Sequence, residues 1–485
     1  MNPAPALLVV GGRVDGVPCD LRLVGGRITE VGPALARRPG EAVLHAGGRP
    51  VRPGLHDHHL HLRALAAAAG SVVVGPPDVT DRAALATALR RAAGAPRRSA
   101  AGSGGRDWVR AVGYHESVAG DLDRTVLDQV LAAVPVRVQH RSGSLWVVNS
   151  AGVDRLGLAA VELPGVERDG SGRPTGRLYR MDRWLGDRLG PAPLDLAGTS
   201  ATLASFGVTG VTDATPGATA AGIGELVAEV DAGRVVQRLH LMCPPTVARW
   251  DHPLVTRGPH KVLLDDRSLP TPDALAETVA DSHRAGAPVA VHCVTAVQLV
   301  VAVGAFEQAG STAGDRIEHA SVVPLGLLPA IGRLGLTVVT NPSFVAERGD
   351  AYLVDVDPAD RPDLYRCRSL LQAGISLAAG TDAPFAGPDP QAAVAAAVSR
   401  RTRSGRALGP AEAVGRPAAL ALFCGRAHAP ATPRRLVPGQ PADLFVADPV
   451  DPEAPEGAWR ASAATVVAGR VVHRLADVDL EGEGA

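Results

Sequence analysis

Four histidines and one aspartate stand within six consecutive positions, His56-Asp57-His58-His59-Leu60-His61, just after Pro53-Gly54-Leu55. Pro-Gly marks a turn, and the run behind it reads as a short strand. Side chains on a strand alternate faces, so Asp57, His59 and His61 fall on one face. His56 and His58 fall on the other, with Leu60 and Leu62. Two imidazoles at i and i+2 can converge on one cation, because neutral imidazole is the commonest biological metal ligand. The pairs 56/58 and 59/61 compete for that role, and the stretch alone does not choose between them. Chance clustering on an exposed strand is the plain alternative.

A second residue stands out by scarcity. The chain has 49 basic residues, and one of them, Lys261, is a lysine; the rest are arginine. Arginine replaces a surface lysine cheaply. It cannot replace a lysine whose neutral amine does chemistry, because guanidinium does not deprotonate. Drift is the competing explanation for the survivor.

These residues need elements to position them. Short β-type runs at 7–10, 20–24 and 27–31, and a turn approach at 43–48, suggest half of a small β-sandwich. The histidine strand follows near 55–61. The interval from about 75 to 200 has its own pattern: a helix candidate at 80–94, a Gly/Ser-rich loop at 99–106, β-runs near 109–113 and 135–140, and a Gly/Asp-rich loop at 164–177. It is too long for a loop and reads as an inserted subdomain. Strand-like runs then recur at 208–212, 237–242, 260–264, 288–292, 316–320, 337–341 and 375–380. Ala-rich helical segments separate them, for example 272–285, 295–309 and 324–334. With the histidine strand this makes eight β/α units and implies a (β/α)8 TIM-type barrel. Helical sequence from 408 gives way to β-runs at 443–448 and 464–473, which would complete the sandwich. The fold class is α/β. The expected domains are a sandwich from 1–52 and 430–485, a barrel from 53–74 and 201–429, and an insertion at 75–200 covering the site.

Composition narrows the function. A net charge of −1 and few aromatic residues argue against a nucleic-acid binder. Five scattered cysteines with no CxxC pair indicate neither a disulfide framework nor a zinc knuckle. No signal-like N-terminus and no membrane-length apolar run occur, so the chain reads as cytoplasmic with no membrane partner. A homodimer is the default oligomer.

In such a barrel the strand ends carry the chemistry. They deliver His59 and His61, Asp213, Lys261 with Asp265 and Asp266, His292, His319, Asn341, and Asp382. This set resembles the amidohydrolase superfamily, and within it the YtcJ-like (amidohydrolase 3) branch. Pro53-Gly54-x-x-Asp57-x-His59-x-His61 matches PGxxDxHxH, which selects His59/His61 and leaves His56 and His58 as outward-facing neighbours. Lys261 through Asp266 stands for the branch's K…DG, Arg316-Ile-Glu318-His319 for R.EH, Gly380-Thr-Asp382-Ala-Pro384 for GSD.P, and Pro438-Gly439-Gln440-Pro441-Ala442-Asp443-Leu444 for PGK.ADL. His292-Cys293-Val294-Thr295 replaces HA.GD and lacks its Gly-Asp turn.

The resemblance implies a metal-dependent hydrolase of an amide or cyclic amide C–N bond in a small molecule. His59 and His61 would bind one divalent ion and His292 and His319 a second, with a CO2-derived carbamate on Lys261 bridging them. Zinc is the first expectation; manganese, iron or cobalt would also suit the donors. Asp382 would contact the first metal and act as general base toward a metal-activated water. Asp57 would hydrogen-bond a ligand imidazole. In the insertion, Arg141, His115 and Glu116 are candidate substrate contacts, as is Asn341 on the barrel. Asn149-Ser150 matches the branch's NS motif, while Gly143-Ser144 replaces its usual GH. The alternatives are a mononuclear deaminase or esterase on the same barrel, and a catalytically silent binding protein.

Overall fold

The computed structural model describes residues 6–94, 108–190, 194–449 and 459–482. The chain forms two compact units: Met1–Leu62 with Leu196–Ala485, and Arg63–Asp195. The expected Gly/Ser-rich loop at 99–106 lies outside the described residues.

The larger unit is organised by parallel strands. Leu55–Leu60, Val208–Asp213, Arg238–Leu241 and Val255–Arg257 form one sheet in that order; His260–Leu263, Val289–Cys293, Arg316–His319, Thr337–Thr340 and Leu377–Ala379 form another. Val255–Arg257 is an additional short strand that the sequence does not separate. Gly258-Pro259 divides it from the next strand. Pro259 has no N–H for a ladder, and Gly258 N donates instead to Leu241 O (2.7 Å). Helices follow most strands, and their starts are written locally. Thr271 caps Pro272–Arg284, and Thr295 caps Ala296–Ala309, each hydroxyl accepting a backbone N–H three residues on.

The first strand departs from simple alternation. Its pairing with Val208–Asp213 runs from Val211↔Asp57 to Asp213↔Leu60, so one extra residue sits in the histidine stretch. Such bulges re-aim side chains near functional sites. His56 and His58 are not solvent-facing: both are buried, as is the whole strand. His56 Nε2 lies 2.9 Å from Thr212 Oγ1. Gly210 makes room for that ring, since a Cβ there would come within 2.5 Å of His56 Nδ1.

Both chain ends build antiparallel-rich sheets in this unit. One holds Leu7–Val14, Val17–Val24, Arg27–Gly32, Ala42–His45 and Leu480–Glu481; the other holds Val51–Pro53, Leu444–Pro449, Trp459–Val467 and Arg470–Arg474. Residues of both, such as Val9, Leu21, Leu44, Leu444 and Val466, share one buried apolar cluster.

The smaller unit is a six-stranded mixed sheet in the order Val166–Arg168, Pro174–Tyr179, Leu145–Val148, Val136–His140, Val109–Tyr114, Val72–Val73. It begins at Arg63, earlier than the expected 75. The stretch 164–177 is a β-hairpin rather than a loop. Asp169 folds its tip by accepting from Ser171 N (2.9 Å) and Arg173 N (3.0 Å). Among the described residues, no helix is long and apolar enough to cross a membrane.

Candidate metal centre

Everything in this centre belongs to the larger unit. His59 is the penultimate residue of the buried first strand, and His61 lies one residue past its end. Lys261, His292 and His319 come from three successive neighbouring strands, with Leu263 paired to His292 and Cys293 to His319. Asp382 follows the last strand. Its N–H donates to His59 O (2.7 Å), and His61 N donates to Ala383 O (2.9 Å), so the two ends are stitched together. Gly380 permits that approach: a Cβ there would lie 2.4 Å from His59 Cβ. His319 and Asp382 both adopt positive φ (66° and 57°). Backbone strain of this kind collects where side chains are held for function.

His59, His61 and Asp382 offer one ligand atom each within 4.8 Å of one another. Asp382 Oδ1 is 3.3 Å from His61 Nε2 and 3.5 Å from His59 Nε2. The His319 ring is 4.5 Å from those of His59 and His292. His59 Nε2, Asp382 Oδ1 and Lys261 Nζ are buried and have no hydrogen-bond partner among the described residues. Orphaned polar atoms in a dry interior are costly, and a divalent cation satisfies the two lone-pair donors, His59 Nε2 and Asp382 Oδ1. The residues therefore fit a metal.

The remaining nitrogens are committed in a way that favours it. His59 Nδ1 is hydrogen-bonded to Glu318 Oε2, and Arg316 Nε donates to Glu318 Oε1 (2.5 Å). His319 Nδ1 donates to Asn341 Oδ1 (2.8 Å), and Asn341 Nδ2 donates to Gly380 O (2.8 Å). With acceptors on Nδ1, each Nε2 keeps its lone pair for a cation.

Electrostatics agree. Burial, then the Lys261 charge, pushes His59 down to about 3, so it is a neutral imidazole at physiological pH. Burial also holds His292 well below the ordinary histidine range. Burial lowers Lys261 to about 8 against the opposing pull of Glu318 and Asp382. Burial works against ionisation of Asp382, but the adjacent His61, His319 and His59 outweigh it and keep the carboxyl below its usual range. Glu318 is likewise held ionised despite burial, chiefly by Arg316.

The profile of the amidohydrolase family matches residues 42–473. The chain belongs to the amidohydrolase family. It is 28% identical over 513 residues to an N-substituted formamide deformylase of Arthrobacter pascens, covering 92% of this chain and 91% of that one. Among solved structures it resembles an uncharacterized metal-dependent hydrolase from Pyrococcus horikoshii (TM-score 0.70, 19% identity, 91% of this chain and 98% of that one). It also resembles an atrazine chlorohydrolase from Arthrobacter aurescens complexed with zinc (TM-score 0.51, 16% identity, 96% and 95% covered). These likenesses make the fold of this amidohydrolase α/β and TIM-type, and its family makes it a hydrolase of carbon–nitrogen bonds other than peptide bonds.

Two expectations change. Asp57 does not reach an imidazole. Its Oδ1 accepts from His59 N (3.1 Å) and Thr381 N (3.0 Å), and its Oδ2 from Thr381 Oγ1 (2.5 Å), so it ties the first strand to the last. The imidazole partner is Glu318, which the sequence reading passed over. Its signal was present as the Glu of Arg316-Ile-Glu-His, two residues from Arg316 and so on the same face of a strand. Asn341, a candidate substrate contact, is fully buried with both ends of its amide engaged by His319 and Gly380. The amidohydrolase's other candidates lie in the smaller unit. Glu116 Oε2 is 3.1 Å from His140 Nε2 and 3.6 Å from His115 Nε2. Arg141 follows His140, its N–H donating to Tyr114 O (2.8 Å). Asn149 is structural: its side chain caps Ser150–Leu156 and bonds Val136 N, Leu131 O and Val134 O.

Proposed function

We propose that the protein hydrolyses an N-substituted amide of a small molecule at a binuclear centre held by His59, His61, His292, His319, Asp382 and a carboxylated Lys261. The observation that carries this is the buried, unpartnered Nζ of Lys261 beside the convergent His59, His61 and Asp382. A buried lysine lowered to about 8 supplies the neutral amine that adds to CO2, forming an N–C bond and releasing a proton. The carbamate that results carries the negative charge a dication needs. Zinc is the metal the donor set suits first. When bound, a divalent ion lowers the pKa of a coordinated water toward neutrality and polarises the scissile carbonyl.

The chain's own residues supply the rest. Asp382 accepts the proton of the attacking water at its carboxylate and returns it to the departing nitrogen. Glu318 holds the His59 ring with Nε2 aimed at the centre, and Asn341 does the same for His319. The formamide deformylase relative supports an N-substituted amide as substrate. The stitched strand ends at His59/Asp382 and His61/Ala383 support closure of the parallel strands into a (β/α)8 barrel, and the shared cluster of the terminal sheets supports a sandwich.

A mononuclear centre is the second reading, favoured by the close convergence of His59, His61 and Asp382, whose ligand atoms lie within 4.8 Å of one another. Metal analysis with 13C-bicarbonate NMR decides. About two ions per chain and a carbamate resonance support the proposal. One ion and no carbamate support the mononuclear centre.

A further inference from the structure

Aromatic residues are scarce in this chain, with six phenylalanines and four tyrosines. Four of those ten gather in one place, Phe344, Tyr352, Tyr365 and Phe385. Phe344 and Tyr365 are buried, with ring centroids 5.7 Å apart, and the Tyr352 ring lies tilted 6.0 Å from that of Tyr365. Phe385 is different. It is three residues past Asp382, only half-buried, and its ring stands edge-on to His61 at 5.5 Å and 78°. His61 is itself partly exposed.

The loop that carries Phe385 is held at two points by adjacent residues of the helix Ser343–Asp355. Arg348 Nη2 donates to Phe385 O, and Glu347 Oε1 accepts from Gly387 N (2.9 Å). The Arg348 guanidinium also lies 4.3 Å over the Phe344 ring. A partly exposed aromatic ring on a clamped loop, touching a metal-ligating imidazole and backed by an aromatic cluster, is a preformed apolar wall. Preformed walls cost a ligand little ordering on binding.

We infer that Phe385 is a specificity-determining residue: it forms an apolar subsite beside His61 that selects substrates whose scissile group bears a planar apolar substituent. This rests on the metal-centre reading above. An aryl group packs edge or offset-stacked against Phe385, while a methyl group leaves that face wet.

The test uses the full-length, zinc-reconstituted protein and two metal-binding probes of different bulk, acetohydroxamate and benzohydroxamate, titrated by calorimetry. The parent protein is expected to bind benzohydroxamate roughly tenfold more tightly, the size of one good aromatic contact. Phe385→Ala should erase that preference, bringing the benzohydroxamate/acetohydroxamate affinity ratio to about one; Phe385→Leu, which keeps the loop apolar, should retain part of it. Equal affinities in the parent, a preference that survives in Phe385→Ala, or binding of neither probe each overturns the inference. Turnover of N-methylformamide and formanilide is measured alongside. If neither is hydrolysed while the hydroxamate preference behaves as expected, the proposed reaction fails and the subsite stands.

Discussion

The protein contains two clusters of histidines and carboxylates, and they hold their protons in opposite ways. In the larger unit, His59 Nδ1 and His319 Nδ1 face oxygen acceptors, Glu318 and Asn341. Their Nε2 atoms are left with lone pairs. In the smaller unit, His115 Nδ1 accepts from Ser117 N (3.3 Å) and His140 Nδ1 from Ser142 N (3.1 Å). A nitrogen that accepts a backbone N–H carries no proton, so Nε2 carries it, and His140 Nε2 donates to Glu116 (3.1 Å). Residue types are the same; the far nitrogen decides. One cluster is poised to bind a cation, and the other has already spent its nitrogens on its own carboxylate.

The largest effects should come from the larger unit. Asp382→Asn removes the proton acceptor, and kcat on an N-substituted amide should fall by about 10²–10⁴; a variant retaining parental kcat would remove Asp382 from that role. Lys261→Ala should lose one metal ion per chain and most activity. Lys261→Arg should do the same, because guanidinium does not provide the neutral amine. Carbamate formation also has a pH direction. Since Lys261 sits near 8, reconstitution of metal-free protein with zinc and bicarbonate should slow as pH falls below that value and the amine protonates. A rate flat from pH 9 to 6 counts against the carbamate. Glu318→Gln should weaken metal binding by about 10–100-fold, measured by chelator competition, whereas Glu116→Gln should leave metal content and affinity unchanged. Equal losses in both variants would erase the contrast between the clusters.

How much of this was legible beforehand follows from what kind of information each part needs. His292, His319 and Asp382 were readable because apolar β-runs end on them, and Lys261 because it has no competitor in the chain. The eight main strands of the larger unit were readable from their β-type runs. The facing of Glu318 with Arg316 was readable, but its partner was not, because His59 is 259 positions away in the chain. Strand parity kept the pairs 56/58 and 59/61 together but gave no sign of the one-residue shift in pairing between Asp57 and Leu60, because it assumes a regular ladder. The hairpin at 164–177 was hidden by its Gly- and Asp-rich tip, which has the composition of a loop although its arms pair. Asn149-Ser150 looked functional as a motif, yet Asn149 turns out to satisfy backbone groups that the following helix and two loops leave open.

The smallest effect tests the spent cluster directly. The hydrogen bond from His140, against some burial, holds Glu116 down at about 2. A carboxylate depressed in the folded state stabilises it at pH values above its unfolded pKa, near 4.3, and that contribution disappears as pH falls from there toward 2. Glu116 is about half exposed, so solvent screening limits the gain to below about 1 kcal/mol. Denaturant midpoints of the parent and Glu116→Gln should therefore differ slightly at pH 7 and converge as pH is lowered through 4. If the two proteins instead diverge on acidification, Glu116 is not the ionised acceptor of His140. The contrast between the clusters would then rest on the Nδ1 partners alone, the Ser117 and Ser142 N–H groups against Glu318 and Asn341.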